Sequence, residues 1–263
     1  MLRIVGHDLH PELVILDKDG TLIAFDALWH AWFDAWRDAL GARVAMDAPL
    51  RRAIAETLGV DAATGAWDPL GPLTLASTGE IGLLLAGLLY RYRGLLWNEA
   101  LEVVQAAERT ARERIVALDL VQPIGDVRGW LRRLRDAGLR IAVVTTDERA
   151  FTEEGLTRLG LAPLIDAMVC GDDGIPLKPA PDAALEVCRR LDVAPERAIM
   201  VGDTIADMTM ARRAGLARAI GVASGALSAE ALVPHADLVV ADIHAIEVVP
   251  DTGSHAIAEE VRP

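Results

Sequence analysis

Short apolar runs alternate with amphipathic stretches through most of the chain, and this alternation predicts its fold. Strands are predicted at Val14–Leu16, Arg140–Thr145, Ala167–Cys170, Ala198–Val201, Arg218–Val222 and Asp237–Val240. Helices are predicted between them, at Asp126–Gly138, Arg149–Gly160, Pro181–Leu191 and Ile205–Gly215. Strands that alternate with helices pair in parallel and are covered on both faces. We therefore expect an α/β fold with a doubly wound, Rossmann-like parallel sheet.

The stretch from 24 to 118 interrupts this alternation with a wholly helical pattern. It holds nine of the chain's eleven aromatic residues, which indicates a unit built differently from the rest. Within it, Trp29, Trp32, Phe33 and Trp36 share one face of a helix. Two interpretations of this stripe stay open. It is the core of the helical unit, or it is a surface for a substrate or for a second copy of the chain in a homodimer.

Composition and charge narrow the class of partner. The chain has 263 residues, a hydrophobic fraction of 52% and a formal net charge of −13. An acidic chain whose Lys and Arg form no basic block is a poor match for nucleic acid or for an anionic membrane. A small anionic substrate stays compatible, because a site can be locally positive on an acidic protein.

The remaining gross features indicate a cytoplasmic protein. Cys170 and Cys188 lack metal-ligand spacing, so we expect free thiols, although the sequence alone leaves a disulfide open. The N-terminus lacks the layout of a signal peptide, and the longest apolar run, Ile81–Tyr90, has about half the length of a membrane-spanning helix. The C-terminal tail, 251–263, has little apolar periodicity and is expected to fray.

Polar residues follow predicted strands at the positions where parallel sheets bind ligands. Asp17-Lys18-Asp19-Gly20 follows the first strand, and its paired carboxylates suit a divalent cation, a nucleophile with a nearby acid, or both. Thr145-Thr146-Asp147 follows the second strand. Its hydroxyls and backbone N–H groups can bind an anion, although a helix cap or a turn explains it as well.

Two further signals complete the set. Lys178 lies in the loop Lys178-Pro179-Ala180-Pro181, whose prolines restrict the backbone and let the lysine deliver one fixed positive charge. Asp203 follows the strand Ala198–Val201, and Asp207 lies one helical turn further on the same side. Taken singly, these signals also fit a surface lysine and helix-capping aspartates.

Together, the segments DKDGTL, VVTT, KPAP and VGDTIAD resemble the four motifs of the haloacid dehalogenase superfamily of hydrolases. The resemblance implies an α/β catalytic core at 1–23 and 119–250, with a helical cap inserted at 24–118 after the first strand. It also implies a phosphatase rather than a dehalogenase, because the dehalogenases of this fold lack an aspartate at the position of Asp19. Its phosphoglycolate phosphatase-like members suggest a small phosphorylated metabolite as the substrate.

The resemblance further implies a role for each site residue. Asp17 would be the nucleophile that forms an aspartyl-phosphate, and Asp19 would be the general acid and base. Mg²⁺ would be held by Asp17, by the backbone carbonyl of Asp19 and by Asp203, with Asp207 orienting a bound water or a ligand. The phosphoryl oxygens would be bound by Thr145, Thr146 and Lys178.

Two other functions stay open. A sugar phosphomutase of the same superfamily would use the same residues and return the phosphoryl group to a sugar, which a requirement for a bisphosphate activator would reveal. A non-catalytic phospho-acceptor of the receiver type also uses aspartates, a hydroxyl residue and a lysine on a parallel sheet. The long insertion after the first motif and the presence of Asp19 speak against the receiver.

The resemblance gives no role to Lys18 or to Thr78–Glu80, and the family usually has an apolar residue between its two aspartates. Side-chain alternation along a strand predicts that Lys18 points away from both carboxylates. Lys18 would then pair with an acidic surface residue, or meet a second anionic group of the substrate at the entrance between cap and core. Thr78–Glu80 is interpreted either as a polar loop that faces the site or as a surface turn.

Overall fold

The computed structural model describes residues 1–61, 63–118 and 120–249, so the predicted boundary residue Asp119 and the predicted tail 251–263 lie outside it. Its strands are β1 Leu2–Ile4, β2 His7–Leu9, β3 Leu13–Leu16, β4 Arg140–Val144, β5 Ala167–Val169, β6 Ala198–Gly202, β7 Arg218–Val222, β8 Leu238–Val240 and β9 Glu247–Val248. Its α-helices are α1 Phe25–Gly41, α2 Ala48–Leu58, α3 Pro72–Leu75, α4 Thr78–Arg93, α5 Trp97–Ala117, α6 Val127–Asp136, α7 Arg149–Arg158, α8 Asp182–Leu191, α9 Ile205–Ala214 and α10 Ala229–Leu232.

Six parallel strands form the main sheet in the order β5-β4-β3-β6-β7-β8. The middle strand β3 is buried on both faces, and its side chains divide between two apolar clusters. Val14 and Leu16 face one cluster, while Leu13 and Ile15 face the other, which includes residues of α8 and α9. The predicted α/β fold with a doubly wound parallel sheet is confirmed.

The register of the sheet brings three polar residues to one edge. Leu16 of β3 pairs with Val143 of β4 on one side and with Val201 of β6 on the other. Asp17, Thr145 and Asp203 are the residues that directly follow these three strands. Because parallel strands end at the same edge, the pairing itself places the predicted motifs side by side.

A second sheet, which the sequence analysis did not predict, joins the two ends of the described chain. It is antiparallel, with the order β2-β1-β9, and Leu2 pairs with both Leu9 and Val248. The hairpin turns at Val5 and Gly6, which both have positive φ angles of 48° and 77°. Strands of two or three residues carry too little alternation to be recognised, and β9 pairs with residues more than 200 positions away.

The helices α1 to α5 pack together as a helical segment between β3 and α6. The chain enters and leaves this segment through adjacent backbone, because Ala24 N–H donates to the carbonyl of Gln122 at 2.9 Å and Ile124 N–H donates to that of Leu22 at 3.0 Å. The two connections between the helical segment and the sheet therefore lie side by side. The designation of the helical segment as a cap with bounds 24–118 stays a prediction.

The aromatic stripe of α1 supplies the centre of the helical segment. Trp32, Phe33 and Trp36 are buried, and the Trp36 indole N–H donates to the carbonyl of Val104 in α5 at 3.1 Å. For these three residues the structure therefore agrees with a packing role. Trp29 differs, since it is only half-buried and lies at the cavity described below.

Two smaller expectations concern the thiols and the membrane. Cys170 and Cys188 are both buried and unpaired, in agreement with the expected free thiols. Within the described residues, none of the helices combines the length and the apolar character that crossing a membrane requires.

Replacing Trp36 with Ala is expected to lower the free energy of unfolding by about 3–5 kcal/mol, because it leaves a cavity in the helical segment and removes the hydrogen bond from the indole to Val104. Urea unfolding followed by circular dichroism measures the change. The matched control is Trp97→Ala, since the Trp97 side chain is 45% exposed. A loss for Trp36→Ala no larger than that for Trp97→Ala would contradict the assigned packing role.

Candidate active site

A cavity of about 50 Å³ lies between the carboxyl edge of the main sheet and the helical segment. Its floor comes from the loops after the strands and consists of Asp17, Asp19, Thr145, Thr146, Asp147, Lys178 and Asp203. Its roof comes from the helical segment and includes Phe25, Trp29, Leu73, Thr74, Thr78 and Ile81. The structure thus brings the predicted catalytic, phosphate-binding and metal residues to one place, with Asp207 directly behind them. Their individual roles stay predictions.

Lys178 links the first and the fourth motif. Its Nζ donates to Asp17 Oδ1 at 2.5 Å and to Asp207 Oδ1 at 2.7 Å, and all three side chains are almost completely buried. Burial raises the pKa of Asp17 to about 7, and the positive charge of Lys178 limits that rise. Burial works against the charged form of Lys178, but the charges of Asp17 and Asp207 outweigh it and raise the pKa of the lysine.

Lys18 forms a second bridge of the same kind. Its Nζ donates to Asp147 Oδ2 at 2.9 Å and lies 2.8 and 3.0 Å from the two carboxylate oxygens of Asp19. The ammonium group also lies 5.8 Å from the ring centroid of Trp29 and 5.3 Å from that of Phe151. The Lys18 side chain is 2% exposed, so this cation is enclosed by two carboxylates and two aromatic rings.

The prediction for Lys18 was therefore wrong. It contacts Asp19 instead of pointing away from it, and its other partner, Asp147, is buried rather than at the surface. The alternation argument assumed an extended chain through Asp19, but β3 ends at Leu16 and the chain bends at Lys18. The Lys18 carbonyl then accepts the N–H groups of Leu22 and Ile23, which turns the backbone and brings Asp19 back toward the lysine.

Asp203 has the features of a metal ligand. Its Oδ2 accepts the Ala226 N–H at 2.7 Å, whereas its buried Oδ1 has no hydrogen-bond partner among the described residues. One oxygen each from Asp17, Asp203 and Asp207 lies within 4.8 Å of the others. Buried polar atoms are almost always satisfied, so the unpartnered oxygen fits a divalent cation, and carboxylate oxygens are ligands that Mg²⁺ accepts. Burial, followed by the charges of Asp17 and Asp207, raises the pKa of Asp203 well above its usual range.

Gly20 explains how the first motif can lie so close to Asp203. Gly20 has a φ of +78°, and a Cβ atom there would collide with the Asp203 carboxylate and with the backbone of Gly225. Its carbonyl accepts the Ser224 hydroxyl at 2.7 Å. Only glycine permits both the left-handed turn and this close approach.

Asp207 has both carboxylate oxygens engaged by protein groups. Oδ1 accepts from Lys178, and Oδ2 accepts the Thr204 hydroxyl at 2.5 Å and the Thr204 N–H at 3.1 Å. Thr204 in turn accepts the Asp207 N–H, which forms a capping box at the start of α9. An aspartate that caps its helix and holds Lys178 is suited to orient the site rather than to serve as a direct ligand.

Asp147 belongs to the second motif, but the sequence alone assigned it no role. It is 4% exposed, and its carboxylate accepts from Lys18 and from the Glu148 N–H at 2.8 Å. Its own N–H donates to the Thr145 hydroxyl at 3.2 Å, which ties the second motif together. The sequence did hold a signal for this role. Lys18 and Asp147 both follow predicted strands that end at the same edge of the sheet, and the charge of Lys18 requires an acidic partner there.

Thr78–Glu80 is neither a loop nor a surface turn but the first turn of α4. Ser77 and Glu80 cap this helix through reciprocal hydrogen bonds. Thr78 is buried in the roof, while Glu80 is exposed. The helix start therefore places one residue of the segment at the site and another in solvent.

The chain contains only two lysines, Lys18 and Lys178, and the side chains of both are buried in this site. Each lysine is shared between two carboxylates from separate segments of the chain. The two lysine bridges therefore hold together the segments that carry all four predicted motifs.

A sequence model of the haloacid dehalogenase-like hydrolases matches residues 11–215, and the chain belongs to this family of hydrolases. A plasmid-encoded phosphoglycolate phosphatase from Cupriavidus necator is 32% identical over 142 residues, which cover 50% of this chain and 62% of that protein. A pyrophosphatase from Bacillus cereus is 34% identical over 97 residues, which cover 37% of this chain and 45% of that protein. The matches thus span only about half of these curated relatives.

Solved structures resemble the chain over a larger share of its length. A predicted phosphoglycolate phosphatase from Haemophilus somnus has a TM-score of 0.66 at 17% identity, covering 89% of this chain and 95% of that one. A proposed β-phosphoglucomutase from Thermotoga maritima has a TM-score of 0.59 at 25% identity, covering 87% of this chain and 94% of that one. The helical segment and the parallel sheet therefore occur together in known members of the fold.

Magnesium is expected to raise the melting temperature by about 5 °C or more at saturation, and by more at pH 8 than at pH 5.5. The folded pKa of Asp17 is raised to about 7, so its contribution to metal-free stability declines as the pH rises to that value, while the carboxylate needed by the metal becomes available. Differential scanning fluorimetry with and without Mg²⁺ measures both effects.

The test variant for this site is Asp203→Asn, which should lose most of the magnesium-induced shift. The matched control is Asp166→Asn, because Asp166 pairs with Arg135 before β5 and away from the cavity. A shift of equal size at both pH values, or one that survives in Asp203→Asn, would contradict the metal site.

Proposed function

We propose that the protein is a Mg²⁺-dependent phosphatase that hydrolyses a small phosphate monoester through an aspartyl-phosphate on Asp17. The observation that carries this proposal is the shared floor, where Asp17 and Asp19 lie beside Thr145, Thr146 and Lys178, with Asp203 at the same edge. A nucleophile, an acid, anion-binding groups and a metal-binding carboxylate are the parts that phosphoryl transfer requires. The family membership and the phosphatases among the relatives support it.

Asp17 is arranged to attack a phosphorus atom. Lys178 holds Oδ1, which leaves Oδ2 to form the bond to phosphorus while the bond from phosphorus to the ester oxygen breaks. Bound Mg²⁺, held by Asp17, the carbonyl of Asp19 and Asp203, would neutralise negative charge on the transferred phosphoryl group. The raised pKa of Asp17 describes the protein without this ion.

Asp19 supplies and later removes the proton. Burial raises the pKa of Asp19, with the charge of Lys18 acting against the rise, and a carboxyl group that keeps a proton can donate it to the leaving oxygen. The resulting carboxylate then takes a proton from water as the water oxygen attacks phosphorus. The bond from Asp17 to phosphorus breaks, which releases phosphate and restores both aspartates.

A phosphomutase is the second candidate, and the likeness to the Thermotoga maritima structure is the observation that favours it. Both functions share the first step and differ in whether water or a sugar hydroxyl receives the phosphoryl group. Turnover of a sugar monophosphate that depends on a bisphosphate activator, with no release of phosphate, would favour the mutase.

Asp17→Asn is expected to lower kcat for phosphate release at least roughly 1,000-fold, because the amide is a far weaker nucleophile than the carboxylate. Phosphate release from a panel of phosphorylated metabolites, with and without Mg²⁺, measures the effect. The control Asp34→Asn changes an exposed carboxylate of α1 and should retain activity. An inactive but folded wild type, or an active Asp17→Asn, would overturn the proposal.

A further inference from the structure

We infer that the leaving group of the substrate carries no negative charge; this inference rests on the proposed phosphatase function and narrows it. The roof is the surface that a leaving group meets once the phosphoryl group lies on the floor. Its members Phe25, Leu73 and Ile81 are apolar, and Trp29, Thr74 and Thr78 add only neutral N–H and hydroxyl groups. A second anion on the substrate would therefore be desolvated against this surface without a cation.

The floor cannot supply the missing positive charge. Lys178 is the single cationic side chain among the residues that line the cavity, and it is already shared by Asp17 and Asp207. Lys18 lies beneath the floor and is shared by Asp19 and Asp147. These four carboxylates, together with Asp203, already take up the two ammonium groups and the two charges of a bound Mg²⁺, so no cation is left to pair with a second anion.

The arginine beside Phe151 is also already paired with carboxylates. Arg112 lies over the ring of Phe151, but it pairs with Glu108 at 2.7 Å and with Glu148 at 3.1 Å. Releasing it for a substrate would leave these two carboxylates unpaired, which is costly for partly buried groups. The local charges on every side thus favour a neutral leaving group.

The size of the cavity sets a second limit. A volume of about 50 Å³ corresponds to roughly four water molecules, which is about the size of a phosphoryl group, so little room remains for the leaving alcohol. Size thus favours a small leaving alcohol, and the local charges favour a neutral one over a glycolate carboxylate or a second phosphate. This inference separates the chain from what the names of its matched relatives would suggest.

The test compares 2-hydroxyethyl phosphate with phosphoglycolate, two esters of similar size that differ in one carboxylate. We expect kcat/KM to be at least roughly 100-fold higher for the neutral ester, because an unpaired anion is strongly rejected by a desolvated site. Pyrophosphate should behave like phosphoglycolate. Equal or better turnover of phosphoglycolate would overturn the inference and leave the phosphatase function intact, whereas hydrolysis of neither ester would overturn both.

A variant pair gives an independent readout. Thr74→Lys adds a cation to the roof and should shift the ratio of the two kcat/KM values toward phosphoglycolate by about tenfold. Leu96→Lys adds the same charge to the helical segment at a side chain that is 68% exposed and outside the cavity, and should leave the ratio unchanged. The same shift in both variants, or in neither, would contradict a specificity surface at the roof.

We also propose, from the separate observation of the buried Lys18 bridge, that Lys18 and Asp147 are positioning residues for Asp19 in the proposed reaction. Asp147 is fixed by the Glu148 N–H and by its own N–H to Thr145, so it is a rigid anchor for the ammonium group. Trp29 and Phe151 close the other sides of that group. Because Lys18 is held by Asp147 of the second motif, it fixes the position of the Asp19 carboxyl group, which donates and accepts the proton.

Two esters whose leaving groups differ in their need for a proton test this positioning role. Phenyl phosphate needs a proton on its departing oxygen, whereas 2,4-dinitrophenyl phosphate departs as a stable anion. In Lys18→Met, the pre-steady-state rate of phenol release should fall about 100-fold, and that of dinitrophenolate less than about fivefold, because only the first uses the positioned acid. Stopped-flow absorbance measures both rates without interference from the later hydrolysis step.

Two variants keep this test decisive. Lys18→Met/Asp147→Asn removes the lysine together with its anchor, leaves no unpaired charge at position 147 and should show the same selective loss. Arg135→Met removes an ion pair with Asp166 away from the cavity and should affect neither ester. An equal loss on both esters, no loss, or unfolding of both Lys18 variants would overturn the positioning role, while wild-type protein inactive on both esters would overturn the proposed function.

Discussion

The burial of several carboxylates at one edge of a sheet is the constraint on which the rest of the structure depends. Desolvating Asp17, Asp203 and Asp207 together is unfavourable, and Lys178 offsets part of that cost for two of them. Lys18 does the same for Asp19 and Asp147. These contacts bind loops that are far apart in the chain, so the site and the fold stabilise each other.

Much of this arrangement could be predicted from the sequence, because it depends on short-range patterns. The four apolar residues of β3 and the strands Ala198–Gly202 and Arg218–Val222 are buried runs bounded by polar residues, and parallel pairing fixes which ends meet. The positions of Asp17, Asp203 and Lys178 follow from that topology and the family resemblance. The ion pair between Lys178 and Asp17 then follows from their opposite charges.

The parts that could not be predicted depend on long-range pairing or on a change of backbone direction. The sheet of β1, β2 and β9 joins segments too short to have a pattern. The partners of Lys18 depend on the bend after Leu16 and on Asp147, which lies 129 positions later. The roof depends on how five helices pack, which the spacing of apolar residues alone does not specify.

Floor and roof show how the chemistry and its selectivity can be separated within one chain. The floor consists of charged and hydroxyl groups at the carboxyl edge of the sheet, where Lys178 and Lys18 each join two carboxylates. The roof consists of apolar and hydroxyl side chains on a segment that is joined to the sheet through two adjacent crossings. Substitutions in the roof can change which ester fits while the floor keeps its geometry.

The scarcity of lysine has a consequence for anyone who handles the protein. Both ε-amino groups are enclosed, and the remaining 24 basic side chains are arginines. Reagents that acylate or cross-link exposed amines therefore have poor access to either lysine, so attachment through lysine side chains is an inefficient way to immobilise this chain. Isotope labelling of lysine side chains would report on the two ammonium groups of the site alone, without background from the surface.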